Sequence, residues 1–135
     1  MADAGYSGTP LARKLGIKAG QIVVLHDAPA DFDLDAPETV TVRRRLTSGA
    51  DVTVAFVRSA AAYRRRLPRL VAAVGWEAAL WIAWPRRAAG HRSDLTDNLV
   101  RAELLPTGLV DVKVAALGED WSGLRFVWRR ELRPR

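Results

Sequence analysis

Cysteine is absent from this 135-residue chain, which excludes disulfides and thiolate metal sites and fits a reducing compartment such as the cytoplasm. No apolar run approaches the roughly 18 residues that a membrane span needs, so no membrane partner is expected. The first residues, Met1 to Tyr6, lack the basic start and apolar segment of a secretory signal. Glycine is missing where a nucleotide-binding fold would need it, since the segment after the first apolar run reads His26-Asp27-Ala28-Pro29. There is also no G-x-x-x-x-G-K-[ST] phosphate loop, no Ser-His-Asp order and no His-rich metal spacing. The sequence therefore offers no catalytic residue and no metal-ligand set, and it implies no cofactor.

What remains has the balance of an ordinary globular protein, 49% hydrophobic and 27% charged. A chain of this size buries about 68% of its unfolded surface, enough for one core. A single domain over 1–135 is expected, with an N-terminal segment over 1–20 that carries a short helix and a tail over 133–135. The net charge of +6 invites a nucleic-acid reading, because clustered cations release counterions from phosphates. Only three of the 21 basic residues are lysine, however, and an Arg- and Ala-rich bias of this kind arises from GC-rich coding in proteins of any function.

Apolar runs alternate with helical segments. Thr9-Pro10-Leu11 reads as a capped helix start with Gly16 as its stop, giving a helix over Pro10 to Leu15. Strands are expected at Ile22 to His26, Val40 to Leu46, Val52 to Val57 and Leu80 to Trp84. Ser59 caps a helix to Val74, in which Pro68 marks a kink or a restart. A further helix spans Asp94 to Leu105, capped by Asp94 or Thr96. The alternating runs Val110-Val112-Val114 and Leu124-Phe126-Trp128 flank "GEDWSG" and read as an antiparallel hairpin. Strands separated by helices imply a mostly parallel, three-layer α/β sheet of Rossmann-like type.

The strand opened by Asp51, the helix after it, the strand Ala79-Leu80-Trp81-Ile82 and the closing hairpin resemble the second half of a class I methyltransferase. That resemblance implies the strand order 2-1-3-4-6-5, with strand 6 antiparallel, and an N-terminal segment, Tyr6 to Thr9, folded over the sheet edge. Across nearly the whole chain, "GYSGTPLARKLGIKAG", "LWIAWPRR", "DLTDNLVR" and "GLVDVKVAALGEDWSGLRFVWRR" resemble the small actinobacterial family catalogued as domain of unknown function 3052. The family implies no activity, being itself uncharacterised.

Ligands of open α/β sheets sit outside the carboxyl ends of the strands, where the strand order reverses. His26 and Asp27, Arg58 and Ser59, and Arg86 and Arg87 leave strands 1, 3 and 4 at that edge, and the hairpin tip Asp120-Trp121-Ser122-Gly123 is expected beside them. These residues, Gly123 apart, are the ligand-binding candidates, and Arg58, Arg86 and Arg87, together with free backbone donors at the start of the Asp94 helix, favour an anion. Strand 2 ends in Arg43-Arg44-Arg45, which supplies no acceptor for ribose hydroxyls but suits a phosphate or a protected sheet edge. The run Asp27, Asp31, Asp33, Asp35 lacks the central Gly and terminal Glu of a calcium loop and reads as a solvated loop. Arg64, Arg65, Arg66 and Arg69 read as a solvated helix face, and Trp81 and Trp84 as core or crevice wall.

Together these readings point first to a non-catalytic, degenerate methyltransferase-like protein that binds an anionic small molecule or a protein. A methyltransferase-type enzyme with an altered first loop comes second. A basic nucleic-acid binder comes third.

Overall fold

The computed structural model describes residues 10–134. The expected cap at Thr9 and the expected docking of Tyr6 to Thr9 lie outside them. A six-stranded sheet has the order β2-β1-β3-β4-β6-β5. Its strands are β1 (Ile22–His26), β2 (Thr41–Arg43), β3 (Val52–Phe56), β4 (Ala79–Pro85), β5 (Leu109–Leu117) and β6 (Trp121–Trp128). β1 pairs parallel with β2 and β3, and β3 pairs parallel with β4. β6 runs antiparallel to both β4 and β5, as expected.

The central strands are buried on both faces because each contributes alternate residues to two cores. On one face Ala55, Val57, Leu80, Ile82, Leu124 and Phe126 meet helices α2 (Ala60–Ala73) and α3 (Asp97–Leu104). On the other, Val52, Val54, Phe56 and Trp81 meet the short helix α1 (Leu11–Lys14) and the loop residues Phe32, Leu34 and Ala36. Trp81 is fully buried and donates its indole N–H to the Leu15 carbonyl at 3.0 Å, tying α1 to the sheet.

Several boundaries differ from expectation for identifiable reasons. α1 starts one residue later than expected, with Pro10 in the cap position, and turns out at Gly16, whose φ of 76° suits glycine. β2 is three residues long rather than seven. It lies at the open edge with all three residues exposed, and Arg44 turns away to donate to the carbonyls of Pro29 and Phe32. α2 runs unbroken through Pro68, without a restart. α3 begins at Asp97, because Thr96 is its cap and Asp94 is engaged elsewhere. The hairpin tip is Gly118 to Asp120, and Trp121 to Gly123 already belong to β6, where Trp121 pairs with Leu117.

The alternation read through Val110, Val112 and Val114 is interrupted. Between Asp111 and Lys113 the register with β6 slips by one, so Val112 is surplus. Leu109 therefore joins the core beneath α2 and α3, while Ala115 and Leu117 join the opposite one.

Candidate functional site

At the carboxyl ends of β1 and β3 an ion cluster meets a chain of aromatic rings. Asp27 follows β1 with φ of 60°, in the left-handed region where glycine is favoured and an L residue is strained. Its carboxylate lies 2.6 Å from Arg66 Nη1 and 4.0 Å from Arg58 Nη1. Arg66 reaches it because position 66 is three residues from Tyr63 and four from Leu70, which puts it beside the buried stripe of α2. The same guanidinium donates to the Phe56 carbonyl at 3.3 Å. Arg58 stacks over the Trp121 ring at 5.1 Å, and Trp121 meets Phe56 edge-on at 4.9 Å. Phe56 in turn meets Phe32 at 4.8 Å. Ion cluster and aromatic chain together occupy the reversal point of the strand order. His26, half-buried beside them, has its pKa lowered by burial first and then by Arg66 and Arg69, against an opposing pull from Asp27.

Two cavities flank this plug. One, of about 340 Å³, lies between the ends of β1 and β2 and is lined by Leu25, His26, Asp27, Ala28, Arg44, Arg45 and Arg69. The other, of about 300 Å³, lies beyond β4 against Trp84, Pro85, Leu95, Arg87, His91 and Ser122. At the mouth of the second, His91 Nε2 and Asp120 Oδ1 are 2.8 Å apart.

The nine sequence candidates thus fall into separate places. His26 and Asp27 border the first cavity, and Arg87 and Ser122 line the second. Arg58 and Trp121 belong to the plug between them. Ser59 Oγ accepts the Ala62 N–H at 3.1 Å, which makes it the helix cap of α2. Arg86 holds the hairpin tip, donating its backbone N–H to Asp120 O and its guanidinium to Glu119 O. Asp120 takes His91. Two of the expected free donors at the start of the Asp94 helix are already taken. Thr96 Oγ1 accepts the Leu99 N–H, Asp97 Oδ1 accepts that of Asn98, and Asp94 Oδ1 accepts the Ala60 N–H at 2.8 Å as a second cap on α2.

His91 was not singled out in the sequence, Asp94 was read as a cap of its own helix, and Arg66, read as part of a solvated helix face, instead pairs with Asp27. Arg66 had a signal in its helical spacing from Tyr63 and Leu70. Asp94 and His91 had none, since their partners are 34 and 29 residues away along the chain. Among the described residues no group of three or more His, Asp or Glu side chains is placed to hold a metal, and no helix is long and apolar enough to cross a membrane.

No family model matches the chain, and no curated protein matches it. Solved structures do. A ribosomal protein L11 methylase from Lactobacillus delbrueckii subsp. bulgaricus is 10% identical over 90% of this chain and 76% of its own, with a TM-score of 0.52. LepI in complex with SAH and a substrate analogue is 15% identical over 88% of this chain and 39% of its own, also at 0.52. N,N-8-amino-8-demethyl-D-riboflavin dimethyltransferase (RosA) from Streptomyces davawensis is 19% identical over 80% and 42%, at 0.48. The fold is methyltransferase-like. At such identities the likeness is one of fold alone, and the chain spans only about two-fifths of the length of RosA and LepI.

A methyltransferase-like fold implies S-adenosylmethionine, and the residues at its usual edge do not fit that group. Close approach of a cofactor to the first strand requires glycine after it. Here Asp27 places a Cβ and a paired carboxylate in that approach. The end of β2, where an acid would accept ribose hydrogen bonds, carries Arg44 and Arg45, which have no acceptor.

Proposed function

We propose that this chain is a non-catalytic, methyltransferase-like binding or regulatory protein. The observation that carries the reading is the Asp27 carboxylate, held by Arg66 at 2.6 Å in the space a glycine turn would leave for a cofactor. The aromatic chain from Phe32 through Phe56 to Trp121 supports it, because opening the crevice would expose apolar rings. The resemblance to an uncharacterised actinobacterial family adds no activity to this reading.

Calorimetric titration with S-adenosylmethionine tests it. The expected affinity is no tighter than about millimolar, roughly −4 kcal/mol. Nicotinamide dinucleotides are expected to bind as weakly, for the same steric reason. Micromolar binding of S-adenosylmethionine, competed by S-adenosylhomocysteine, would overturn the proposal.

A methyltransferase-type enzyme with an altered first loop is the second reading. The paired His91 and Asp120 favour it, since an imidazole oriented by a carboxylate beside a cavity is the arrangement of a general base. It requires the micromolar binding just described.

A further inference from the structure

We propose that the cavity at the carboxyl ends of β1 and β2 binds a small phosphomonoester, gripped by Arg45 and Arg69. The proposal rests on the non-catalytic reading and gives it a ligand class.

Three observations lead there. The cavity collects guanidinium groups from two elements, Arg44 and Arg45 from the segment after β2 and Arg69 from the third turn of α2. Arg44 is committed to the carbonyls of Pro29 and Phe32, so it fixes the loop wall. Arg45 and Arg69 have no carboxylate within 4.0 Å among the described residues.

Among the described residues that line the cavity the one acid, Asp27, is paired with Arg66 and Arg58, so it does not cancel the remaining positive charge. The field is felt within the cavity, where Arg66 and Arg69 both help to keep the His26 imidazole neutral. The walls also include buried Leu25 and half-buried Ala28 and Leu46, an apolar backing that limits solvent screening on one side of the arginines.

Geometry and size select the ligand. Guanidinium forks match the oxygens of phosphate, which a dianion offers in threes. A volume of about 340 Å³ lies at the small end of ligand sites, which run from about 300 to 1,000 Å³, so the partner is compact. Arg44 and Arg45 follow β2, where a methyltransferase-like fold would present an acid to a ribose, and the reversal of charge exchanges a hydroxyl ligand for an anionic one.

Calorimetry and His ring NMR with ribose 5-phosphate as the probe, ribose as the neutral control and an unphosphorylated oligonucleotide as the polyanion control test this. Ribose 5-phosphate is expected to bind at about 0.1 mM or tighter, which ribose does not match. It should move the His26 ring resonances. The double variant Arg45→Ala/Arg69→Ala should lose about tenfold or more in affinity and the His26 response with it, as charge-assisted hydrogen bonds require. Arg87→Ala, in the other cavity, should change neither. All three arginines are exposed, and an unchanged melting temperature verifies that the variants fold.

Absence of ribose 5-phosphate binding, equal binding of ribose, or affinity indifferent to the double substitution would overturn the proposal. Tighter binding of the unphosphorylated oligonucleotide, lost in the double variant, would also overturn it and assign the surface to nucleic acid. Micromolar S-adenosylmethionine with phosphate binding intact would overturn the non-catalytic reading alone.

Discussion

The Asp27 carboxylate meets the Arg66 guanidinium at 2.6 Å across the gap between β1 and α2. The two groups come from segments 39 positions apart and meet at the carboxyl end of β1. Their side chains are 45% and 30% exposed, so the pair adds only about 0–1 kcal/mol to stability. Its importance is steric.

Glycine and alanine at position 27 should therefore behave differently. Asp27→Gly loses the pair but relieves the left-handed backbone, an exchange of about 1 kcal/mol in each direction that leaves urea stability nearly unchanged. Asp27→Ala loses the pair and keeps the strain, and should be the less stable variant by about 1 kcal/mol. The reverse order would contradict the geometry at this turn.

His26 sets an acid-side pH dependence. Its native pKa is lowered, so below the unfolded value of about 6.5 the unfolded chain takes up a proton that the native chain refuses. Stability is complete above that pH and is lost as pH falls towards the native pKa. Urea midpoints at neutral and mildly acidic pH should separate in the wild type and converge in His26→Gln.

Tyr63 does the same on the alkaline side. It is fully buried, its hydroxyl donates to the Val100 carbonyl at 2.7 Å, and burial, followed by Glu103, raises its pKa far above normal. As pH rises past about 10 the unfolded phenol ionises and the native one does not, so stability falls. Tyr63→Phe should cost about 1 kcal/mol at neutral pH and flatten that alkaline decline, as followed by denaturant titration.

Gly123 is a packing glycine. A Cβ there would lie 2.8 Å from Leu117 Cδ1 and 3.0 Å from Trp81 Cε3, and Trp81 is pinned by its bond to Leu15. Gly123→Ala should cost about 1–3 kcal/mol by overpacking. Gly75→Ala meets open space and should be neutral or slightly stabilising in the same melts.

Ala55 and Val57 against Val54 and Phe56 explain why the fold was legible in the sequence. Periodicity records which face a residue shows, and these strands show two apolar faces. Ser59 and Thr96 were legible because capping is local chemistry. The site was less so. Charge near the strand ends could be foreseen, but whether Arg58 or Arg69 would be engaged depended on Asp27, Trp121 and Arg66, which tertiary structure alone brings together. Asp94 shows the limit most plainly, because its sequence context marks the start of one helix and its carboxylate caps another.

The surplus residue at Val112 bears on what happens between molecules. β5 is the outermost strand at its end of the sheet, nine residues long, with Val112 and Val114 exposed, which is the profile of a template for strand addition. An incoming strand would find its ladder broken part-way along, because the backbone around Val112 no longer presents evenly spaced donors and acceptors. The slip that divides β5 between two cores thus also guards it against growth into fibrils. Removal of that one residue would restore an even ladder only by turning either Leu109 or Leu117 out of its core.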